Sequence, residues 1–199
     1  MLRFAVTHDY LCPFARNAAE VVVRAQGAGE PLEVGFRAFS LSQVHLEEDA
    51  PPVWTPGAEP ASGVLALQWG LAVRDELPER FPAVHLALFA ARHDQGLDIN
   101  DPEVLAAAVA SAGVDPDEVA KLVATSGPAA ALAADHTWAA DTSRVFGVPT
   151  FVTGQRAVFI RLMSRPGSPG DARATLDRVL ALVEDWPDLN EFKATVIPR

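Results

Sequence analysis

Cys12 is the only cysteine among 199 residues, and Pro13 follows it directly. A short run that reads as a strand, Leu2–Thr7, precedes it, and a helix is predicted from Pro13 to about Ala25. A thiol at a helix N-terminus faces unpaired N–H groups and the positive end of the helix dipole. Both favour the thiolate, which is the nucleophile. Cys12 is therefore expected to be partly exposed and more acidic than a free thiol. The competing reading of an isolated cysteine is a buried small hydrophobe. One cysteine allows no intrachain disulfide, which fits a reducing cytoplasm.

Val148-Pro149 is the second feature. A proline inside what otherwise reads as a buried strand is poorly explained by a regular ladder. A cis bond at the strand start explains it and leaves the carbonyl and N–H of Val148 for a partner. A trans proline on an edge strand is the alternative. His8 and Asp9 flank the thiol; His8 either steadies a thiolate and takes a proton or is a solvated loop histidine. His45, His85, His93 and His136 show no ligand spacing with one another or with Cys12, so no metal site is expected. Asp135 and His136 fall within a helix, on what reads as its polar face. Trp54, Trp69 and Trp138 line a pocket or belong to the core.

Cys12 must be held by a βαβ unit: the first strand, the helix after Pro13, and a second strand from Leu32 to Phe39 with Leu32, Val34, Phe36 and Ala38 on one face. Residues 43 to 60 are rich in proline and acid and read as a loop, either a cover beside a site or an ordinary surface connection. From about Ser62 to Phe146 the pattern is helical. Asp101-Pro102 and Asp115-Pro116 are caps followed by proline at the first helical position, and Gly113 separates them. The last helix of this stretch is predicted from Pro128 to Phe146. Gly147–Val152 is then a strand, Gly154-Gln155 a two-residue hairpin turn, and Arg156–Leu162 the partner strand. Ser168-Pro169 opens a final helix with Leu176, Val179, Leu180 and Val183 on one face. The order predicts an α/β fold with a four-stranded mixed sheet. Its parts are a first βαβ segment at 1–42, a loop and helical insertion at 43–146, and a closing ββα segment at 147–199.

Nearly half the residues (49%) are hydrophobic, enough for a large core. A formal net charge of −10 argues for solubility and against a nucleic-acid groove or an anionic membrane partner. No apolar run approaches the ~20 residues of a membrane helix. The opening Met1–Val6 lacks the pattern of a secretory signal, so a cytoplasmic location is expected.

Asp9-Tyr10-Leu11-Cys12-Pro13-Phe14-Ala15 resembles the Asp-x-x-Cys-Pro-x-Cys site of DsbA-type proteins. Leu86–Phe89, Gly96–Leu105 and Ala112–Pro116 resemble the helical insertion of their FrnE-like branch, and Gly147–Val152 is similar to its cis-proline strand. Ser164–Pro166 and Trp186–Lys193 resemble the end of actinobacterial mycothiol-dependent nitroreductases. The resemblance implies a thioredoxin-like fold, Cys12 as the attacking thiol, and Pro13, Phe14, Val148 and Pro149 as substrate-binding residues.

One departure governs the expected chemistry. The family's second, resolving cysteine falls at Ala15, and dithiol exchange needs that thiol. The expectation is a monothiol oxidoreductase whose mixed disulfide is cleared by a low-molecular-weight thiol, mycothiol or glutathione. Its substrate is a small-molecule or protein disulfide, and a homodimer is left open. Two alternatives stand. One is a thiol-dependent isomerase or transferase, like the 2-hydroxychromene-2-carboxylate isomerases and kappa-class glutathione transferases. The other is a non-catalytic binding domain with a degenerate site.

Overall fold

The computed structural model describes residues 2–29, 31–154 and 156–191. Met1, Gln155 and the Phe192-Lys193 part of the tail motif lie outside the described residues. Strand β1, Leu2–His8, runs parallel to β2, Leu32–Ala38, in a register from Leu2 opposite Leu32 to His8 opposite Ala38. Helix α1, Pro13–Gln26, makes the crossover between them. Strand β3, Thr150–Thr153, pairs antiparallel with β1 and with β4, Arg156–Phe159. The sheet order is β2-β1-β3-β4. This is the α/β, four-stranded mixed sheet that the element order predicts, with a block of helices inserted between β2 and β3.

Helix α1 starts where Cys12 takes an extended conformation (φ −93°, ψ 117°) and Pro13 supplies a first residue needing no donor. Ala15, Ala18, Ala19, Val22 and Ala25 recur at helical spacing and are buried. The final helix α8, Pro169–Asp185, packs along α1; its Leu176, Val179, Leu180 and Val183 are all buried. It opens on Ser168, whose hydroxyl accepts from the Asp171 N–H at 3.1 Å.

The insertion begins with a short helix, α2, Leu41–Val44, at the edge of the acidic loop. It continues through α3 (Val64–Glu76), α4 (Phe81–His93), α5 (Pro102–Ser111), α6 (Pro116–Val123) and α7 (Gly127–Thr137). Asp101 and Asp115 cap α5 and α6 through the Glu103 and Asp117 N–H groups at 2.8 and 3.0 Å. Helix α4 packs on α1 and α7 on β2, so the insertion braces both the thiol helix and the outer strand.

Helix α7 stops well short of Phe146. The chain widens into a π-helical turn at Trp138–Thr142, with Ser143 N–H bonded to Trp138 O and Val145 N–H to Ala139 O. Arg144 takes a positive φ of 54°, and the chain then turns into the Gly147–Pro149 approach to β3. Strand β3 accordingly begins at Thr150, and β4 ends at Phe159, although Ile160 N–H still bonds to Pro149 O at 3.2 Å.

Candidate functional site

Cys12 lies at the junction of the β1 turn, the α1 N-terminus and the approach to β3. Its N–H bonds to Asp9 O at 3.0 Å, closing the turn that delivers the sulfur. Its Sγ donates to the Val148 carbonyl at 3.3 Å, and the Val148–Pro149 peptide is cis. Residues separated by 136 positions thus share one site. Pro13 is exposed, Phe14 half-buried, and Val148 and Pro149 buried. The Val148 carbonyl is not left free, as the sequence reading expected: the thiol occupies it.

The expectation of an exposed, acidified thiol is also corrected. Cys12 is only 8% exposed. Burial pushes its pKa above the ordinary thiol value, and the nearby Asp9 charge adds to that. Backbone hydrogen bonds from Ala15 and Phe14, together with the Arg161 charge, act in the opposite direction without prevailing. The helix N-terminus does favour the thiolate, but a sulfur closed in by packing loses more water than two N–H groups replace.

Asp9 lies beneath this turn, fully buried. One carboxylate oxygen accepts from Leu11 N–H at 2.9 Å and the other from Leu41 N–H at 2.7 Å. Burial nevertheless pushes its pKa up to about 6, the two N–H bonds offsetting only part. His8 is no solvated loop residue. It ends β1, buried against His85, with ring centroids 4.6 Å apart. Burial, with Arg74 nearby, drives its pKa down to about 3. It is a neutral core imidazole and no general base at ordinary pH.

Tyr10 completes the underside. Its hydroxyl shares a 2.9 Å hydrogen bond with His85 Nδ1, and its carbonyl one of 2.9 Å with His93 Nε2. Gly70 on α3 makes room for it; a Cβ there would stand 2.4 Å from the Tyr10 hydroxyl oxygen. Among the described residues, His8 Nδ1 and His85 Nε2 are buried without hydrogen-bond partners. Among the same residues no group of histidine, cysteine, aspartate and glutamate could hold a metal ion.

Asp135 and His136 are not on a polar helix face either. Asp135 is 2% exposed and takes Arg37 at 2.8 Å, the Ala38 N–H at 3.0 Å and Arg74. His136 Nδ1 accepts from Ser40 N–H at 3.1 Å, and its ring stacks on Phe39. The pair fastens α7 to the end of β2. Trp69 belongs to the core, while Trp54 and Trp138 pack half-buried against it. Arg161 is the neighbour that sequence reasoning did not single out. Its guanidinium lies over the Phe14 ring at 5.3 Å, and only the folded hairpin brings it there.

No helix among the described residues is long and apolar enough to cross a membrane. No curated protein matches the chain in sequence. The chain is similar in structure to a probable DsbA oxidoreductase from Streptomyces coelicolor, with 19% identity and a TM-score of 0.65 over 98% of this chain and 94% of that one. A cytosolic disulfide reductase, DsbM, from Pseudomonas aeruginosa, solved with GSH, gives 21% identity and a TM-score of 0.64 over 91% and 100%. A single-substitution variant of Pseudomonas aeruginosa DsbA gives 19% and 0.62 over 92% and 85%. The family described as a DSBA-like thioredoxin domain matches residues 6–163. A match of that length, on a sheet of this topology, makes the chain a member of the DsbA-like thioredoxin-domain family.

Proposed function

We propose that this protein is a monothiol oxidoreductase of the cytoplasm with Cys12 as its nucleophile. The observation that carries the reading is the seat of Cys12 Sγ: between the α1 N-terminal N–H groups and the Val148 carbonyl, with Ala15 where a resolving thiol would stand. The Cys12 thiolate attacks one sulfur of a disulfide, forms a mixed disulfide and expels the other sulfur as a thiolate. A low-molecular-weight thiol, mycothiol or glutathione, then attacks the mixed disulfide and returns Cys12 as thiolate. Pro13, Phe14, Val148 and Pro149 line the face on which the substrate rests.

A second reading draws on the raised thiol pKa and the 8% exposure of Cys12. A sulfur so placed is a slow nucleophile, and the same N–H groups can instead activate the sulfur of a bound small thiol. That chemistry belongs to isomerases and transferases and leaves Cys12 uncharged.

Intact mass after exposure to oxidised glutathione and to oxidised mycothiol separates the readings. The monothiol reading expects one adduct on the wild type, cleared only by added thiol, and none on Cys12→Ser. Ala15→Cys should lose the adduct by itself, its new thiol closing a disulfide ring with Cys12. An unmodified wild type overturns the monothiol reading; activity retained by Cys12→Ser with added thiol establishes the second.

A further inference from the structure

Arg161 stands apart from the other arginines around α1. Arg16 pairs with Glu20 and Asp94, and Arg165 pairs with the same two acids. Arg161 has no ion pair among the described residues. Its guanidinium instead lies over the Phe14 ring at 5.3 Å and near the Phe159 ring at 6.0 Å, exposed to solvent. Phe146, 73% exposed, extends this aromatic wall from its contact with Phe159, with centroids 5.4 Å apart.

The backbone at Arg161 is fixed on both sides. Ile160 N–H bonds to Pro149 O at 3.2 Å, and Leu162 O accepts from Asn17 Nδ2 at 2.8 Å. One anchor is the residue after Val148, and the other lies on the thiol helix. The elements that build the site thus hold an unpaired cation over the ring of Phe14, two residues from Cys12. In a chain of net charge −10 an anionic reactant meets general repulsion, which a local cation must overcome. Aromatic rings orient the guanidinium without using its N–H donors, which remain for an external acceptor.

We infer that Arg161 is a specificity-determining residue, and that the disulfide reacting at Cys12 carries a carboxylate received by Arg161 against the Phe14–Phe159 wall. This inference rests on the thiol-exchange reading and narrows it. Of the two small thiols proposed, glutathione bears carboxylates and mycothiol, an acylated aminosugar–inositol, bears none.

The test measures second-order rate constants for Cys12 modification by three disulfides: oxidised glutathione (anionic), bis(2-hydroxyethyl) disulfide (neutral) and cystamine (cationic). Wild type, Arg161→Met and Arg161→Lys are compared at low and high salt. The anionic-to-neutral rate ratio is expected to fall about tenfold in Arg161→Met and to be largely kept in Arg161→Lys, and the gap between wild type and Arg161→Met is expected to shrink with salt. The anionic-to-cationic ratio should move in the same direction and further. Equal ratios in wild type and Arg161→Met, or a loss that Lys does not rescue, overturn the inference while leaving thiol exchange standing. A wild type inert to all three disulfides overturns thiol exchange itself, and the inference with it.

Discussion

Asp9 and Asp135 are both out of reach of water, and they are held in opposite ways. Asp9, under the thiol, has two backbone N–H groups and no cation. Asp135, at the α7–β2 seam, has one backbone N–H and two guanidiniums, from Arg37 and Arg74. Dipoles alone do not replace the water a carboxylate gives up, so Asp9 titrates near 6 and can change charge under mild conditions. The seam instead holds a set of opposite charges that fit together only when α3, α7 and β2 are docked. One region is tunable and lies against the site; the other is a fastening.

The largest test of this contrast is Asp135→Ala. It leaves two guanidiniums facing a buried gap, and a loss of about 3 kcal/mol is expected, nearer the lower end for a broken buried pair because Arg37 still reaches solvent. The midpoint of urea unfolding reads it. A loss below about 1 kcal/mol would be the size of an exposed pair and would end the distinction.

Asp9 should show itself in pH dependence. Its folded pKa lies above its unfolded value, so the folded state holds the proton more tightly. The contribution favours the fold below about pH 4 and is lost as pH rises to about 6, by about 3 kcal/mol. His8 and His85 work the other way. Their folded pKa values are depressed, so their stabilisation is present above about 6.5 and is lost as pH falls. The difference between wild type and Asp9→Asn isolates the carboxylate. Denaturant series from pH 4 to 7 should give a difference that changes across this window, and a constant difference would mean that Asp9 does not titrate there.

The smallest effect sharpens the link to the sulfur. The Asp9 charge helps to raise the Cys12 pKa, so Asp9→Asn should move the midpoint of thiol alkylation to lower pH. An unmoved midpoint would leave burial as the only cause.

Local signals carried most of the fold. Asp101-Pro102, Asp115-Pro116 and Ser168-Pro169 mark helix starts because a cap and an N1 proline act within one turn of the chain. The thread from Cys12 to Val148 was legible because both neighbours are prolines with few alternative uses. What stayed hidden depends on distant partners. Asp135 reads as a solvated helix residue until Arg37 and Arg74 arrive from 98 and 61 positions away. His8 reads as a loop residue because its cover includes His85, which the insertion brings from 77 positions away. The π-helical turn after α7 answers to where β3 must begin, which no residue within it announces. The burial of Cys12 is likewise a property of packing around the turn and not of its motif.

The bond from Cys12 Sγ–H to the Val148 carbonyl also fixes an order of events. Among the described residues, no other donor reaches that oxygen. Under the proposed chemistry, the sulfur surrenders its hydrogen when it ionises to attack, and the oxygen is then left without a donor until the thiol re-forms. An acceptor for an extended backbone or an amide-bearing reactant therefore opens as the thiol ionises and stays open through the mixed disulfide. Release closes it again as the thiol re-forms. Grip and protonation of the sulfur are thus opposed, so a reactant is held at Val148 only while Cys12 is ionised or covalently engaged.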